Sequence, residues 1–247
     1  VVAGTVYVGG SFTSISGVSR PNVAALDALT GQVLPWNPGA NGAVSAFATR
    51  ANTLYMGGVF SQVGGVNRSR VAAVDMSTGV VESWNPDADA YVGDLWVGGS
   101  TVYLGGYFMH VGGEPRFRLA AVDAITGVLE PWDPAADGMV QALIGRDSLI
   151  YVGGFFSSVG ARDRRGVAAL GMSTGQATDW APAPLGNVFD LAFSGSSLIL
   201  AGAFDVLGNE ERHNRAAVDP ATGGVTDWDP NPDVSVPVVA ADSSVIC

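Results

Sequence analysis

The chain alternates short apolar runs with polar loops, and one arrangement of the two recurs five times. In one copy the apolar runs are Val44–Thr49, Thr53–Phe60, Arg70–Asp75 and Val80–Trp84, with a turn at Asn52. Apolar residues tend to alternate with polar ones along these runs, and turn residues separate them, which is typical of β-strands. The pattern therefore predicts four strands in each copy and no helix.

The copies keep a period of 48 residues without insertion or deletion. The period is marked by tryptophan at Trp36, Trp84, Trp132, Trp180 and Trp228. It is marked equally by arginine at Arg20, Arg68, Arg116, Arg164 and Arg212. A glycine-rich repeat of about this length is typical of a four-stranded propeller blade. We therefore expect an all-β, five-bladed β-propeller.

The phase of the repeat predicts how the ring closes. The repeat units are 43–90, 91–138, 139–186 and 187–234, and residues 235–247 join 1–42 to make the fifth, within a single domain. The segment "VSVPVVAAD" near the C-terminus is a copy of the innermost strand, so it is expected to pair with the first blade and remove an open sheet edge. Ala241–Cys247 aligns with Val1–Tyr7, so either one end frays or the array was longer.

The repeat resembles a known propeller class. Segments such as "YVGGSFTSISGVSRPNVAALDALTG" and "WNPGANGAV" are similar to the delta-60 repeat of large secreted or surface-attached bacterial proteins. The resemblance covers nearly the whole chain and implies a propeller and an extracellular location, but it brings no agreed catalytic or binding residues. A weaker likeness, through "AALDALTGQVLPW", is to the repeats of quinoprotein dehydrogenases, in which the tryptophan docks on the neighbouring blade.

Composition excludes several classes of partner. The chain has 247 residues, a net charge of −11, and twelve basic residues that are all arginine, so it lacks the basic footprint of a nucleic-acid-binding protein. No apolar run is long enough to span a membrane, and membrane insertion is not expected. Residue 1 already lies within a repeat, which indicates an excised or mature piece. Cys247 is the single cysteine, so a disulfide framework is not expected. Separately, we expect the protein to be a monomer.

The fivefold tryptophan and arginine are expected to serve the scaffold, because a residue that recurs in every blade usually stabilises the blade. Tryptophan would pack between blades, and arginine would bond backbone carbonyls or the turn aspartates Asp27, Asp75, Asp123 and Asp219. The fourth copy has Gly171 instead of aspartate, so its arginine would need another partner.

Residues that break the repeat are the first candidates for function. Asp94, Asp190 and Trp96 lie in innermost strands, where the other copies have mainly small apolar residues. Innermost strands line the channel of a propeller, so these side chains could bind a sugar. The two carboxylates could instead act as nucleophile and general acid of a glycosidase. The plainer alternative is that they are hydrated channel residues.

Carboxylates also recur in the loops between outer and inner strands, at Asp87, Asp89, Asp133 and Asp137. Paired carboxylates could hold calcium, the one cofactor that the sequence suggests. Capping of the local backbone is the alternative that we favour. His110 and His213 do not recur and lack the companions that a zinc site requires.

The long loops after the second strand keep their length while their side chains change, which suits a surface that displays binding residues. Two groups would form cationic spots on an acidic protein, namely Arg116, Phe117 and Arg118 in one loop and Arg162, Arg164 and Arg165 in the next. Simple surface variation explains these loops equally well.

The sequence therefore favours a noncatalytic binding or structural module of a secreted or cell-surface protein, which presents loops for glycan or protein recognition. The alternative is a five-bladed carbohydrate-active enzyme that uses Asp94 and Asp190. The gapless period is also compatible with an engineered or consensus-like array.

Overall fold

The computed structural model describes residues 1–240, in which β-strands follow the 48-residue repeat. Residues 1–240 contain no helix, and hence none that could cross a membrane, so the fold is all-β. Each repeat contains a small antiparallel sheet, and in the first four repeats a hairpin of two two-residue strands lies in the long loop that precedes the last strand of the sheet.

The strands of the first two repeats are β1 (Thr5–Gly9), β2 (Ser14–Ile15), β3 (Val18–Ser19), β4 (Val23–Asp27), β5 (Val44–Arg50), β6 (Thr53–Gly58), β7 (Gln62–Val63), β8 (Val66–Asn67) and β9 (Val71–Asp75). The third repeat contains β10 (Val92–Gly98), β11 (Thr101–Gly106), β12 (His110–Val111), β13 (Glu114–Pro115) and β14 (Leu119–Asp123). The fourth contains β15 (Val140–Arg146), β16 (Leu149–Gly154), β17 (Ser158–Val159), β18 (Arg162–Asp163) and β19 (Val167–Gly171). The fifth contains β20 (Pro184–Ser194), β21 (Ser197–Leu207), β22 (Glu210–Glu211) and β23 (Arg215–Val218).

Three of the four predicted strands are present in each of the second to fifth repeats. In the second repeat the sheet order is β5-β6-β9, and the first three predicted runs match these strands to within two residues. The predicted outer strand Val80–Trp84 is wrong as a strand, since it contributes one isolated bridge, between Val74 and Val81. After Glu82 N–H bonds Ala73 O at 2.8 Å, the chain leaves the sheet and places the Trp84 indole against another repeat.

A glycine pair in the second strand of the first four repeats permits a close backbone approach, as its position in a strand predicts. A Cβ atom on Gly58 would lie 2.1 Å from the backbone oxygen of Ala43, and one on Gly154 would lie 2.1 Å from that of Met139. Only glycine fits at these positions, where the inner strand and the second strand begin to pair.

The first repeat differs from the others. Its β1 pairs with β4 in a two-stranded sheet, and residues 234–240, the described part of the predicted closing segment, form no strand. Pro237 lacks the N–H that a ladder needs. Val236 N–H nevertheless bonds Gly202 O at 2.9 Å. The equivalent bond, from Val44 N–H to Gly10 O at 3.2 Å, is made by the first residue of the inner strand β5, so Val236 has the register of an inner strand. The rest of the predicted segment and the duplicated residues Ala241–Cys247 lie outside the described residues.

The chain divides into two compact units. The first comprises Val1–Leu104, Phe108–Pro115 and Ala121–Glu130, and its core includes Trp36, Leu54, Met56 and Phe60. The second comprises Gly105–Tyr107, Arg116–Ala120 and Pro131–Cys247. Its core contains the buried side chains of Trp180, Val188, Leu198, Leu200 and Phe204.

Candidate functional site

The repeated tryptophans bond backbone carbonyls of the following repeat. The indole N–H of Trp36 donates to Asp75 O at 3.0 Å, and Trp84 and Trp132 make the equivalent bonds to Asp123 O and Gly171 O at the same distance. Trp180 donates to Asp219 O at 3.1 Å. Each donor and acceptor are 39 residues apart.

A tyrosine that the sequence analysis did not single out completes this contact. Tyr55 packs edge-on against Trp84 with ring centroids 5.0 Å apart, and its hydroxyl donates to Ala124 O at 2.6 Å. Tyr7 and Tyr151 pack against Trp36 and Trp180 in the same way. Two adjacent aromatic donors therefore hold two successive carbonyls of one turn. Recurrence of tyrosine at the same place in the repeat was the available signal.

The repeated arginines tie each long loop to the outer edge of its own repeat. Arg68 donates through Nη2 to Glu82 O at 2.6 Å and through Nη1 to Asn67 O at 2.8 Å. Arg20, Arg164 and Arg212 make the same two kinds of bond to backbone oxygens. The sequence offered these arginines two kinds of partner, backbone carbonyls and the turn aspartates, and the structure shows bonds to the carbonyls. Arg164 therefore keeps its partners although Gly171 replaces the turn aspartate in its repeat.

The turn aspartates instead organise their own turns. In the turn after β9, Asp75 Oδ1 accepts bonds from the backbone N–H of Thr78 at 2.7 Å and from its hydroxyl at 2.9 Å. These two bonds lower the pKa of Asp75. Asp27, Asp123 and Asp219 are bonded in the same way.

Two of the four candidate calcium ligands cap backbone groups. Asp137 Oδ1 accepts from Ser157 N–H at 2.8 Å and Ser158 N–H at 3.0 Å, and Asp89 Oδ1 accepts from Met109 N–H at 2.9 Å. Burial raises the pKa of Asp137, but the bonds to the two serines outweigh it, so the pKa is lowered. Asp133 Oδ2 lies 3.9 Å from Arg116. Within residues 1–240 no three acidic, histidine or cysteine side chains converge as metal ligands would.

The two histidines pair with nearby carboxylates. His110 Nδ1 lies 2.9 Å from Asp89 Oδ2. His213 lies 3.3 Å from Asp205 and 3.2 Å from Glu211, and the pKa of His213 is raised, chiefly by its bond to Asp205.

The candidate channel residues make local contacts. Asp190 is partly buried in β20; its Oδ2 accepts from Val239 N–H at 2.7 Å and its Oδ1 from Leu191 N–H at 2.8 Å. Burial raises the pKa of Asp190, although both hydrogen bonds oppose the shift. In the first unit, Asp94 Oδ1 accepts from Leu95 N–H at 2.8 Å, and Trp96 packs on Tyr103 with centroids 5.7 Å apart.

The candidate loop residues differ in exposure. Phe117 is 43% exposed, whereas Arg118 is 9% exposed and lies 5.0 Å from the centroid of the Tyr107 ring. Arg162 is exposed and contacts Asp179, and Arg165 is exposed as well. Arg116 and Arg164 are less exposed and serve the contacts described above.

The second unit has three exposed aromatic side chains, and the partly buried Phe189 stacks on one of them, a feature that the sequence analysis largely missed. We define the aromatic surface as Tyr107, Phe117, Phe155 and Phe189. Tyr107 is 56% and Phe155 is 44% exposed, and Phe155 stacks on Phe189 with centroids 5.4 Å apart.

The backbones of Phe117 and Phe155 both bond one segment, residues 136–139. Phe117 O accepts from Ala136 N–H at 3.0 Å, and Phe155 N–H donates to Met139 O at 2.8 Å. The available signal was one position of the repeat, one residue before the recurring phenylalanine, which changes through Ser11, Val59, Tyr107, Phe155 and Ala203.

Comparison with known proteins supports the fold. A sequence model of a family described as "Domain of unknown function (DUF5122) beta-propeller" matches residues 4–31. No curated protein sequence matches the chain. A chain of the "Crystal Structure of Mitotic Checkpoint Complex" is 16% identical with a TM-score of 0.62, over 89% of this chain and 61% of that chain. This protein therefore spans 61% of the length of that structurally similar chain.

The computationally designed Ika8 protein is also similar, with 18% identity and a TM-score of 0.55, over 91% of this chain and 73% of that chain. At these identities the likeness concerns the fold alone. The family match and the structural neighbours together show a β-propeller-like, all-β repeat protein.

Proposed function

We propose that this protein is a noncatalytic recognition module that binds a glycan or a protein through the aromatic surface. The observation that carries the proposal is the exposed Phe155 ring, which stacks on the partly buried Phe189. Isolated exposed apolar residues are common, but grouped rings on a rigid scaffold are typical of binding sites.

The chemistry of the aromatic surface supports this role. Aromatic rings bury a large area at low entropic cost and are enriched at binding hot spots. The buried Arg118 lies over one face of the Tyr107 ring, and this cation–π contact helps to hold the ring in position. Tyr107 and Phe155 directly follow β11 and β16, which are hydrogen-bonded in sheets and so fix the backbone from which the two rings project.

A glycan array tests the proposal, with wild type and the double variant Tyr107→Ala/Phe155→Ala compared. We expect saturable binding by wild type and a loss of affinity of at least about tenfold in the variant. Val59→Ala is the matched control, because Val59 has the same repeat position and is 46% exposed. Glycan binding that is unchanged in the double variant would contradict the proposal. If wild type bound no glycan on the array, the proposal that the ligand is a glycan would be contradicted.

The carbohydrate-active enzyme is the second candidate, and Asp190 weighs against it. Both carboxylate oxygens of Asp190 accept bonds from backbone N–H groups, so this side chain is engaged in structure. Release of reducing ends from a glycan panel, lost in Asp94→Asn/Asp190→Asn, would overturn the noncatalytic proposal.

We further propose that the propeller has five blades and that the segment beginning at Val236 supplies the missing inner strand of the first repeat. The inner-strand register of Val236 on Gly202 supports this. A Cβ on Gly10 would meet the Phe12 ring at 3.3 Å, whereas the equivalent atom on Gly58 would meet backbone at 2.1 Å. If the ring closes, Gly10→Ala should destabilise the protein as severely as Gly58→Ala.

Deletion of Val234–Cys247 is a second test of closure, and we expect the shortened chain to unfold or oligomerise. A deleted chain that stays monomeric with unchanged melting would contradict it. Membership of the delta-60 class and an extracellular, surface-attached location complete the proposal, on the strength of the quoted repeat segments.

A further inference from the structure

The second unit contains an open cavity of about 640 Å³ in the fourth repeat. Its walls are the loop at 133–135, the hairpin of β17 and β18, and the turn at 174–176. This volume lies within the range of small-molecule sites. A corresponding cavity at the second repeat, lined by Asn37, Gly39 and Gln62 among others, measures about 430 Å³.

A loss of side-chain volume accompanies the larger cavity. In the second repeat Val81 occupies the space beside the hairpin, since a Cβ on Gly64 would lie 2.8 Å from its Cγ2. The fourth repeat has Ala177 at that position, and its N–H bonds Gly160 O at 3.1 Å. The smaller side chain goes with a closer approach of the backbone, since a Cβ on Gly160 would lie 2.5 Å from Ala177 N.

A hydrogen-bond donor is also released in this repeat. In other repeats the turn threonine donates its hydroxyl to the turn aspartate, as Thr78 does to Asp75 at 2.9 Å. Gly171 replaces that aspartate, and within residues 1–240 the Thr174 hydroxyl has no such carboxylate acceptor. Thr174 Oγ1 accepts from Gln176 N–H at 3.3 Å, which leaves its proton available to a ligand in the cavity.

The other lining groups are mixed in kind. Asp133 and Asp163 supply acceptors, whereas Arg162 and Gln176 supply donors, and Arg162 is oriented by its contact with Asp179. Two carboxylates disfavour an anionic ligand, as does the net charge of −11. The number of polar groups disfavours an apolar ligand.

We propose that this cavity binds a neutral mono- or disaccharide, whose hydroxyl groups both donate and accept hydrogen bonds. The proposal goes beyond the proposed function, because the cavity lining shares no residue with the aromatic surface.

Isothermal titration of the full chain with D-glucose, D-galactose, D-mannose, maltose and cellobiose tests it. We expect at least one sugar to bind saturably. The triple variant Arg162→Val/Asp163→Asn/Gln176→Val installs the side chains of the second repeat at Val66, Asn67 and Val80. It should lose affinity by at least about tenfold, because it removes a charged and an amide partner. Gln32→Val, at the equivalent position of the first repeat, should bind like wild type.

Gly171→Asp is a second test that does not depend on whether the triple variant folds. It restores the turn aspartate of the other repeats, so it should retain or raise the melting temperature while weakening sugar binding through Thr174. Absence of saturable binding by wild type for all five sugars would overturn the proposal. A triple variant that binds sugar as tightly as wild type would also overturn it. If Phe155→Ala lost sugar binding and the triple variant kept it, the sugar site would be assigned to the aromatic surface instead. Tighter binding of inorganic phosphate than of any sugar would overturn the ligand class.

Discussion

The indole of Trp84 donates to the backbone oxygen of Asp123, 39 residues later, at 3.0 Å. Trp84 is 1% exposed, so this bond lies within packed structure. Because the acceptor is a backbone atom, the contact does not depend on the aspartate side chain. Trp132 accordingly makes the same contact to Gly171.

Trp84→Phe should lower the free energy of unfolding by about 2 to 4 kcal/mol, since it removes a buried bond and leaves a cavity. Urea denaturation measures the change. Asp123→Asn keeps the backbone acceptor and should leave stability nearly unchanged. Equal losses in the two variants would mean that the tryptophan contact is not what stabilises the turn.

Gly154→Ala should destabilise the fold by about 3 kcal/mol or more, because its Cβ would lie 2.1 Å from Met139 O, a backbone atom that cannot move aside easily. Thermal melting measures the effect. Gly224→Ala is the control, since the nearest atom to a Cβ there is the Thr222 hydroxyl at 3.3 Å. A Gly154→Ala protein as stable as the control would show that the strands tolerate separation at this point.

Asp137→Ala should cost about 1 to 2 kcal/mol, because two backbone N–H groups lose their acceptor. Asp137→Asn should cost less, since Asn41 bonds Ser61 and Gln62 in the same way in another repeat. Denaturant titration distinguishes the two variants.

The same carboxylates test the calcium alternative. If they are caps, calcium chloride and EDTA should give the same melting temperature. A rise of several degrees with calcium, abolished in Asp137→Asn, would assign these loops to the metal instead.

Asp190→Asn should change how stability depends on pH. Burial raises the pKa of Asp190 in the folded chain. The protonated side chain therefore makes its full contribution to folding stability below the unfolded pKa of about 3.9, and this contribution is lost as the pH rises through the folded pKa. The asparagine variant cannot ionise and still offers an oxygen to Val239 N–H. Its stability relative to wild type should therefore increase from acidic to neutral pH in paired urea titrations. A constant difference across that range would contradict the raised pKa.

Much of the fold follows from local sequence. Strand alternation and turn residues place β5, β6 and β9, and the glycine pairs indicate close backbone approach. The outer strand was predicted wrongly because its residues have strand character, yet the chain leaves the sheet so that Trp84 can bond Asp123 O. A preference within one segment was overridden by a contact 39 residues away.

The sequence alone determined the period, the all-β class and the residues that recur, because these depend on spacing and local turn chemistry. Tertiary structure decided which oxygen Arg68 and Trp84 bond, that Asp190 holds Val239, and that Phe155 meets Phe189. It also decided that Thr174, whose repeat has Gly171 in place of the turn aspartate, lines a cavity. Such features depend on distances between segments far apart in the chain, and only folding brings those segments together.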